Sequence, residues 1–316
     1  MTIFILGAGV QGTLYGVRLA RAGHKVTLVA RGKRAEELRA QGAIVENVVT
    51  GRRDNLQLPV VEKLAPDTCA DLCFVFVRRE QIEAALSDLR GALGIARIVF
   101  MVNHANGSGA LFSALSRSRV VLGFPSAAGS IENGVDFYVD VAEQPTAIER
   151  MATDIAAMLR NAGFRVELVT DVDSWLKRHA VFVTAVGGAL YLKEGDVGLL
   201  SSDKFLVRTF ILAVREGWSE LDRLGVAPAS LALRAIFSWV PLPLAVAYWC
   251  RLFNSQRAEF YFARHSRRAI GEMVALAADV RTLMPDHEMP HLQLLYDAID
   301  RSQGGAKAAV KGDSLR

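Results

Sequence analysis

The sequence predicts an α/β domain with a doubly wound parallel sheet, followed by an all-α domain. In the first half, short apolar runs typical of strands alternate with segments of helical period. From residue 172 onward the period is almost purely helical. A chain of 316 residues, 51% of them hydrophobic, is long and apolar enough for two such domains.

In the first half of the chain, predicted strands alternate with predicted helices. Runs rich in β-branched and aromatic residues, as in strands buried on both faces, occur at Ile3–Leu6, Lys25–Ala30, Leu72–Val77, Arg97–Val102, Val120–Phe124 and Arg165–Val169. Helical segments are predicted at Gln11–Ala22, Lys33–Ala40, Glu80–Gly91, Gly107–Ser116 and Ala147–Ala162. Residues 126–142 contain glycine and lack helical period, so we expect strands and turns there, without a crossover helix.

The pattern of the second half predicts helices. They are predicted at Val172–Leu192, Asp203–Leu224, Ala229–Ser238, Leu244–Phe253 and Arg257–Leu283, with Gly225 as a helix stop. Pro241 and Pro243 interrupt the most apolar stretch, which therefore predicts a bend rather than a membrane span. We place the two domains at residues 1–170 and 171–301 and expect residues 302–316 to form a mobile tail.

Composition and charge narrow the class of protein. The net charge of +4, without a dense basic run, favours small anionic ligands over nucleic acid. Three irregularly spaced cysteines, Cys69, Cys73 and Cys250, predict reduced thiols rather than disulfides or a zinc site. The apolar N-terminus lacks a basic segment and is better explained as a first strand than as a signal peptide. We therefore expect a cytoplasmic protein with a small-molecule substrate, no metal and no membrane partner, and the apolar helical half could support a homodimer.

Residues 7–12 fit the pattern G-x-G-x-x-G between a predicted strand and a predicted helix. In that context the pattern is typical of a Rossmann dinucleotide site. The first glycine permits a tight turn, the second lets a pyrophosphate approach the backbone, and the third lets the helix pack on the strand. The helix N-terminus then offers free N–H groups to the phosphates. The residues that we expect to contact the cofactor here are Gly7, Gly9, Val10, Gln11 and Gly12.

The end of the second predicted strand favours NADP over NAD. NAD-binding domains usually carry an acidic residue there, which binds the ribose 2′-hydroxyl. This chain has Arg31 instead, followed by Lys33 and Arg34. A guanidinium group binds a 2′-phosphate through two hydrogen bonds, and the neighbouring cations would add attraction. The alternative is a solvated basic turn without a ligand.

Further residues resemble the ketopantoate reductase family. The segment 26–32 with Arg31 resembles that family's second strand and arginine turn, and Gln81 matches a family glutamine, whereas Arg78 stands where the family has lysine. Asn103 matches a family asparagine near the nicotinamide, and the segments around Lys177 and Glu259 resemble those of the catalytic lysine and the substrate-binding glutamate. The resemblance implies an NADPH-dependent enzyme similar to 2-dehydropantoate 2-reductase, an enzyme of pantothenate biosynthesis.

Four positions depart from the family pattern. Two asparagines that follow the family's lysine are Val181 and Ala185 here, and a serine pair is Val246 and Ala247. A site built to hydrogen-bond its substrate discriminates strongly by those bonds. We therefore expect an altered substrate pocket and do not infer ketopantoate as the substrate.

Hydride delivery to a carbonyl group places negative charge on its oxygen, which calls for a proton donor. Spacing alone favours Lys177 as a snorkelling surface lysine beside Arg178, and the resemblance favours it as that donor. Asn103 follows a predicted strand and either orients Lys177 or the nicotinamide ribose, or is a turn residue. Glu259 either binds a substrate hydroxyl or pairs with Lys177, or is a solvated helix residue near Arg257.

The sequence thus predicts an NADPH-dependent reductase of a 2-keto acid or a related carbonyl compound. An alternative enzyme is a reductase of imines or other apolar substrates, which the apolar replacements would suit. An alternative outside the enzymes is an NADP-binding sensor that has kept the fold and lost the chemistry.

Overall fold

A computed structural model describes residues 1–141, 144–228, 234–285 and 288–313, without the side chains of residues 265, 268 and 305–313. Contacts divide the chain into two compact units. The first, called the N-terminal unit below, contains residues 1–103 and 107–172. The second, the helical unit, contains residues 104–106 and those from 173 onward.

The N-terminal unit contains all the strands of the described chain. They are β1 (Thr2–Leu6), β2 (Lys25–Val29), β3 (Ala43–Asn47), β4 (Arg53–Leu56), β5 (Val60–Val61), β6 (Ala70–Val75), β7 (Ile95–Met101), β8 (Val120–Phe124), β9 (Ala127–Glu132), β10 (Val135–Asp140), β11 (Thr146–Glu149) and β12 (Val166–Val169). The main sheet has the order β12-β11-β8-β7-β6-β1-β2-β5. In the part of the sheet with the order β8-β7-β6-β1-β2-β5, all neighbouring strands are parallel. Strand β11 is antiparallel to β8. The predicted doubly wound fold is confirmed, in a mixed sheet with mainly parallel pairs.

Five helices accompany this sheet: α1 (Val10–Arg21), α2 (Gly32–Gln41), α3 (Ile82–Gly91), α4 (Gly109–Leu115) and α5 (Thr153–Asn161). A short 3-10 turn, Arg79–Gln81, precedes α3. Helix α1 is buried around most of its circumference, including Leu14, Tyr15, Val17 and Leu19, because it contacts β1 and β2 as well as β3, β9 and β10.

The prediction of one helix over Ala147–Ala162 is wrong. Residues 146–149 form strand β11, and α5 begins only at Thr153. The first three residues of β11 are buried, and the strand pairs with β8 on one side and β12 on the other. Tertiary pairing has therefore overridden a weak local helical signal.

A second sheet of four strands has the order β4-β3-β10-β9. Strands β9 and β10 form an antiparallel hairpin, in agreement with the strands and turns expected for residues 126–142. Strands β3 and β4 were not predicted; β3 pairs in parallel with β10 and antiparallel with β4. Helix α1 contacts β3, β9 and β10 of this sheet, so the second sheet packs beside the first helix of the unit.

The helical unit contains α6 (Val172–Tyr191), α7 (Val197–Ser202), α8 (Lys204–Arg223), α9 (Leu242–Phe253), α10 (Gln256–Ala258), α11 (Arg264–Arg268), α12 (Ile270–Leu283) and α13 (Pro290–Asp313). Two π-helical turns, Ala235–Trp239 and Glu259–Ala263, lie among them. The predicted stop at Gly225 is confirmed: its φ is +72°, and the Val226 N–H donates to the Leu221 carbonyl. Within the described ranges, none of the helices combines the length and apolarity that crossing a membrane requires.

The helix predictions for this unit were partly wrong and incomplete. The single helix predicted over Arg257–Leu283 is interrupted by the π-helical turn and by a break at Ala269, whose φ of −121° is not helical. Helices α7 and α13 were not predicted. Of the predicted helix Ala229–Ser238, residues 229–233 lie outside the described residues. Residues 302–313, placed in the expected tail, continue α13, and residues 314–316 are likewise not described.

Candidate functional site

The glycine-rich segment 7–12 forms the turn between β1 and α1. Gly7 has a φ of +100°, and a Cβ atom there would lie 2.5 Å from the Phe76 carbonyl oxygen. A Cβ atom on Gly12 would lie 2.0 Å from the Gly7 carbonyl oxygen. Both positions therefore exclude any side chain, the first because of the turn and the second because of the close approach of helix and strand.

The amino end of α1 is open. A Cβ atom built on Gly9 meets no atom of the described residues within 4 Å. Gly9 is the N-cap of α1, no side chain caps the helix, and its first turn contains no acidic residue. The Gln11 amide donates to the Ala127 carbonyl at 2.8 Å, which fixes that side chain on β9. The first N–H groups of α1, which include those of Val10 and Gln11, lack intrahelical acceptors and suit an anion such as a pyrophosphate.

Arg31 follows β2 and is directly available at the surface. Its side chain is 60% exposed and forms an ion pair with Asp88 on α3. Its Nε also lies 3.4 Å from the Glu62 carbonyl oxygen. A phosphate bound by Arg31 would compete with the Asp88 carboxylate.

Arg34 has a different environment from the one that the sequence suggested. The side chain is only 16% exposed, and it pairs with the buried Asp136 of β10. Its Nε donates to the Ala8 carbonyl at 2.9 Å. Arg34 therefore stabilises the glycine-rich turn through the Ala8 carbonyl. Lys33, in contrast, is exposed, and its ammonium nitrogen lies 3.7 Å from a Glu37 carboxylate oxygen.

Arg78 and Gln81 follow β6 and are both exposed. The Arg78 N–H donates to the Gln81 side-chain oxygen at 3.0 Å, and the Gln81 N–H donates to the Arg78 carbonyl at 2.9 Å. Gln81 thus closes the turn that presents Arg78.

Asn103 follows β7 and is buried. Its Oδ1 accepts no hydrogen bond from any described residue. A buried amide oxygen without a donor costs free energy, which a ligand hydroxyl or amide would offset.

Four of the predicted cofactor residues share one edge of the main sheet. Each follows the end of one strand by one to three residues. Gly7 follows β1, Arg31 follows β2, Arg78 follows β6 and Asn103 follows β7, and these four strands are parallel neighbours in the sheet. The chain changes direction across the sheet between β1 and β6, and ligands of open α/β sheets bind at the carboxyl ends of strands at such a point.

In the helical unit, Lys177 lies on α6 and is 19% exposed. Its ammonium nitrogen lies 2.7 Å from a carboxylate oxygen of Asp173, one turn earlier. The neighbouring Arg178 is buried, pairs with Asp222 and donates to the Ala227 carbonyl. Arg178 is thus a structural residue, and only Lys177 of the two presents a partly accessible cationic group.

Glu259 begins the second π-helical turn. Its carboxylate pairs with Arg267 and lies 3.8 Å from the Arg264 Nε. Among the described contacts, therefore, Glu259 pairs with arginines and Lys177 with Asp173, and the structure does not join the two predicted partners.

The four positions that depart from the family pattern fall into two environments. Val181 and Ala185 are fully buried in the core of the helical unit, and a Cβ atom on Gly217 would lie 2.6 Å from a Val181 methyl group. Val246 packs against the same core, while Ala247 is exposed. The first two positions are thus occupied by core side chains.

Sequence reasoning missed the acidic partners Asp88, Asp136 and Asp173. The pairs of Asp88 and Asp136 join residues 57 and 102 positions apart, which no local pattern indicates. Only Asp173 had a usable signal, because it lies four residues before Lys177 on a predicted helix.

Known proteins resemble this chain in sequence and in fold. Residues 3–152 match the family model "Ketopantoate reductase PanE/ApbA". A 2-dehydropantoate 2-reductase of Archaeoglobus fulgidus is 29% identical over 203 residues, covering 61% of this chain and 65% of that protein. One from Pyrococcus horikoshii is 22% identical over 228 residues, covering 69% of this chain and 72% of the relative.

A solved structure extends the likeness over nearly the whole chain. The ternary structure of D-mandelate dehydrogenase with NADH and anilino(oxo)acetate has a TM-score of 0.76 at 14% identity, and the match covers 96% of this chain and 99% of that one. At this identity the likeness concerns the fold alone. The resemblance predicted from the sequence is confirmed: residues 3–152 match the ketopantoate reductase family model, and the two 2-dehydropantoate 2-reductases are similar to this chain at 22% and 29% identity.

Proposed function

We propose that this protein is an oxidoreductase that uses NADPH to reduce the carbonyl group of a 2-keto acid or a related compound. The main support is the shared sheet edge. There α1 begins without a side-chain cap and with open space at Gly9, and Arg31 and the buried Asn103 follow strands of the same edge. The relatives named 2-dehydropantoate 2-reductase support the same class of reaction.

The residues of this edge fit a nicotinamide dinucleotide. The N–H groups of the first turn of α1 would hold the pyrophosphate, and Arg31 would bind a 2′-phosphate. Arg78 would add a second cation, and the Asn103 Oδ1 would accept from the nicotinamide ribose or amide. When bound, the reduced nicotinamide supplies a hydride. The absence of an acidic residue directly after β2 favours NADPH over NADH.

Reduction of a carbonyl group adds a hydride at carbon and a proton at oxygen. We assign Lys177 as the proton donor, because its ammonium group carries the proton and stabilises the negative charge that develops on the oxygen. Asp173 holds that ammonium group in place through their ion pair. Glu259 is proposed to bind a substrate hydroxyl, which requires that it exchange contact with Arg267.

The substrate is proposed to be less polar than ketopantoate. Val181 and Ala185 are core side chains, so the two polar substrate contacts that the resemblance implies at these positions are missing here. The same observation favours a second candidate, an NADPH-dependent reductase of imines. A homodimer and a cytoplasmic location remain predictions.

NADPH oxidation over a panel of ketopantoate, apolar 2-keto acids and cyclic imines tests the proposal and separates its two forms. We expect turnover with the apolar 2-keto acids. In the Lys177→Ala variant, kcat should fall by about 10²–10⁴-fold, the usual contribution of a general acid. NADPH affinity should not change. Tight NADPH binding without turnover on any member of the panel would instead indicate a sensor.

A further inference from the structure

Arg34 connects the glycine-rich turn to the second sheet. Its Nε donates to the Ala8 carbonyl at 2.9 Å, and its Nη2 donates to the Thr13 hydroxyl at 3.0 Å and to a carboxylate oxygen of Asp136. Nη1 lies 3.4 Å from the Gly134 carbonyl oxygen. Every nitrogen of this guanidinium group therefore has a partner, and two of those partners belong to the turn and α1.

Asp136 is the anchor of this arrangement. It lies on β10, is completely buried and directs Oδ2 at Arg34, while Oδ1 has no partner among the described residues. A buried carboxylate is costly unless it is paired, so the pair with Arg34 is the contact that compensates it. Because all its nitrogens already have partners within the protein, Arg34 is not itself available as a phosphate ligand.

The bond to the Ala8 carbonyl has a geometric consequence for Gly9. The Ala8–Gly9 peptide is trans. In a planar trans peptide the C=O and the following N–H point in opposite directions. Because Arg34 and the Thr13 hydroxyl, 3.2 Å away, both donate to the Ala8 oxygen, the Gly9 N–H is directed to the opposite side of the turn. A Cβ atom on Gly9 would meet nothing within 4 Å among the described residues, so this part of the turn is open to a ligand.

We propose that Arg34 and Asp136 are positioning residues that orient the Gly9 N–H toward the cofactor pyrophosphate. This inference rests on the dinucleotide site of the proposed function. It assigns the second sheet a role in cofactor binding, since β10 supplies the carboxylate. The pyrophosphate is common to NADPH and NADH, so the effect applies equally to both coenzymes, in contrast to that of Arg31.

The test measures the dissociation constants of NADPH and NADH for Arg34→Met, Asp136→Asn and Arg34→Lys. Loss of one oriented hydrogen bond should raise both constants by about tenfold in Arg34→Met. Their ratio and the kcat at saturating coenzyme should stay unchanged. Asp136→Asn should weaken both in the same direction, and Arg34→Lys should recover part of the loss, because lysine cannot contact both partners as the guanidinium does.

A matched control is Asp140→Asn. Asp140 also lies on β10 and pairs with Arg18 of α1 at 2.8 Å, without contacting the glycine-rich turn. This variant should leave both dissociation constants unchanged. If Arg34→Met does not fold, Thr13→Val removes the second donor to the Ala8 oxygen with little change of shape, and should weaken both coenzymes to a smaller extent.

The outcomes separate this inference from the proposed function. If the natural protein binds coenzyme and the Arg34 and Thr13 variants bind it equally well, the positioning role is wrong and the proposed function stands. A selective loss of NADPH alone would also overturn the inference, because it would make Arg34 a 2′-phosphate ligand. If the natural protein binds neither coenzyme, the proposed function itself fails.

Discussion

The Lys177 ammonium group lies 2.7 Å from the Asp173 carboxylate, one turn away on the same helix. A proton donor must be held at a defined position, and this ion pair restrains a side chain that otherwise rotates about four bonds. The substitution Asp173→Asn should therefore lower kcat by about tenfold, equivalent to roughly 1.4 kcal/mol of barrier. NADPH affinity should not change. Steady-state kinetics on a turned-over substrate, with direct NADPH titration, measures both.

Lys193→Met provides the control for this variant. Lys193 forms a comparable ion pair with Asp203 at 2.9 Å in the same unit, and it is not assigned to the site. It should leave kcat unchanged. If Asp173→Asn retains full kcat, the ion pair does not position the donor.

The second prediction concerns the coenzyme preference. Asp88 pairs with Arg31 and places a negative charge where a 2′-phosphate would bind. Asp88→Asn should therefore tighten NADPH binding by about threefold to tenfold, with the gain decreasing as salt screens the charges. NADH binding should stay the same. Weaker NADPH binding in this variant would show that Asp88 orients Arg31 rather than competing for it.

The third prediction concerns the core of the helical unit. Val181 is fully buried and lies against Gly217, so the family's asparagine at this position would bury an amide without room or partners. Val181→Asn should lower the free energy of unfolding by about 1–3 kcal/mol. Urea unfolding measures this change. Ala247→Ser, at the exposed position, is the control and should have little effect. An equally stable Val181→Asn variant would contradict the assignment of Val181 to the core.

The fourth prediction concerns pH. Burial raises the pKa of Asp136 from 3.8 to about 7, with Arg34 opposing and Glu37 adding to the rise. Between these values the folded state holds a proton that the unfolded chain has released. The contribution of Asp136 to stability is therefore fully present below its ordinary pKa and is lost as pH rises through about 7.

Urea unfolding of the natural protein and of Asp136→Asn across this pH range measures that contribution. The free energy of unfolding of the natural protein, relative to the variant, should decrease as pH rises from about 4 to about 7. Two parallel stability curves would show that Asp136 does not titrate in this range.

Much of the N-terminal unit was predictable because its strands are buried on both faces. Runs such as Ile3–Leu6 and Val120–Phe124 are apolar without interruption, and the segment 7–12 carries glycines where the turn leaves no room for a Cβ atom on Gly7 or Gly12. Strands β3 and β4 were not predicted because Glu46, Arg53 and Asp54 make them partly polar, and because the pairing of β3 with β10 joins distant parts of the chain. Strand β11 was not predicted for a related reason, since only its pairing with β8 and β12 distinguishes it from the start of a helix.

The candidate site likewise contains locally encoded features that were predictable and long-range contacts that were not. The roles of Gly7, Gly9 and Gly12 follow from backbone geometry, which their motif encodes locally. The orientation of Arg34 does not, because Lys33 and Arg34 are adjacent cations and only the buried Asp136 distinguishes them. Long-range ion pairs thus decide which of the two cations remains exposed, and a single sequence does not record them.

Titration of the purified protein with NADPH tests the central claim most directly, with NADH and the Arg31→Ala variant as companions. The account predicts saturable binding of NADPH, weaker binding of NADH, and loss of that difference in Arg31→Ala. If neither coenzyme binds to the natural protein, then the open end of α1 is not a dinucleotide site and the proposed reductase activity is contradicted.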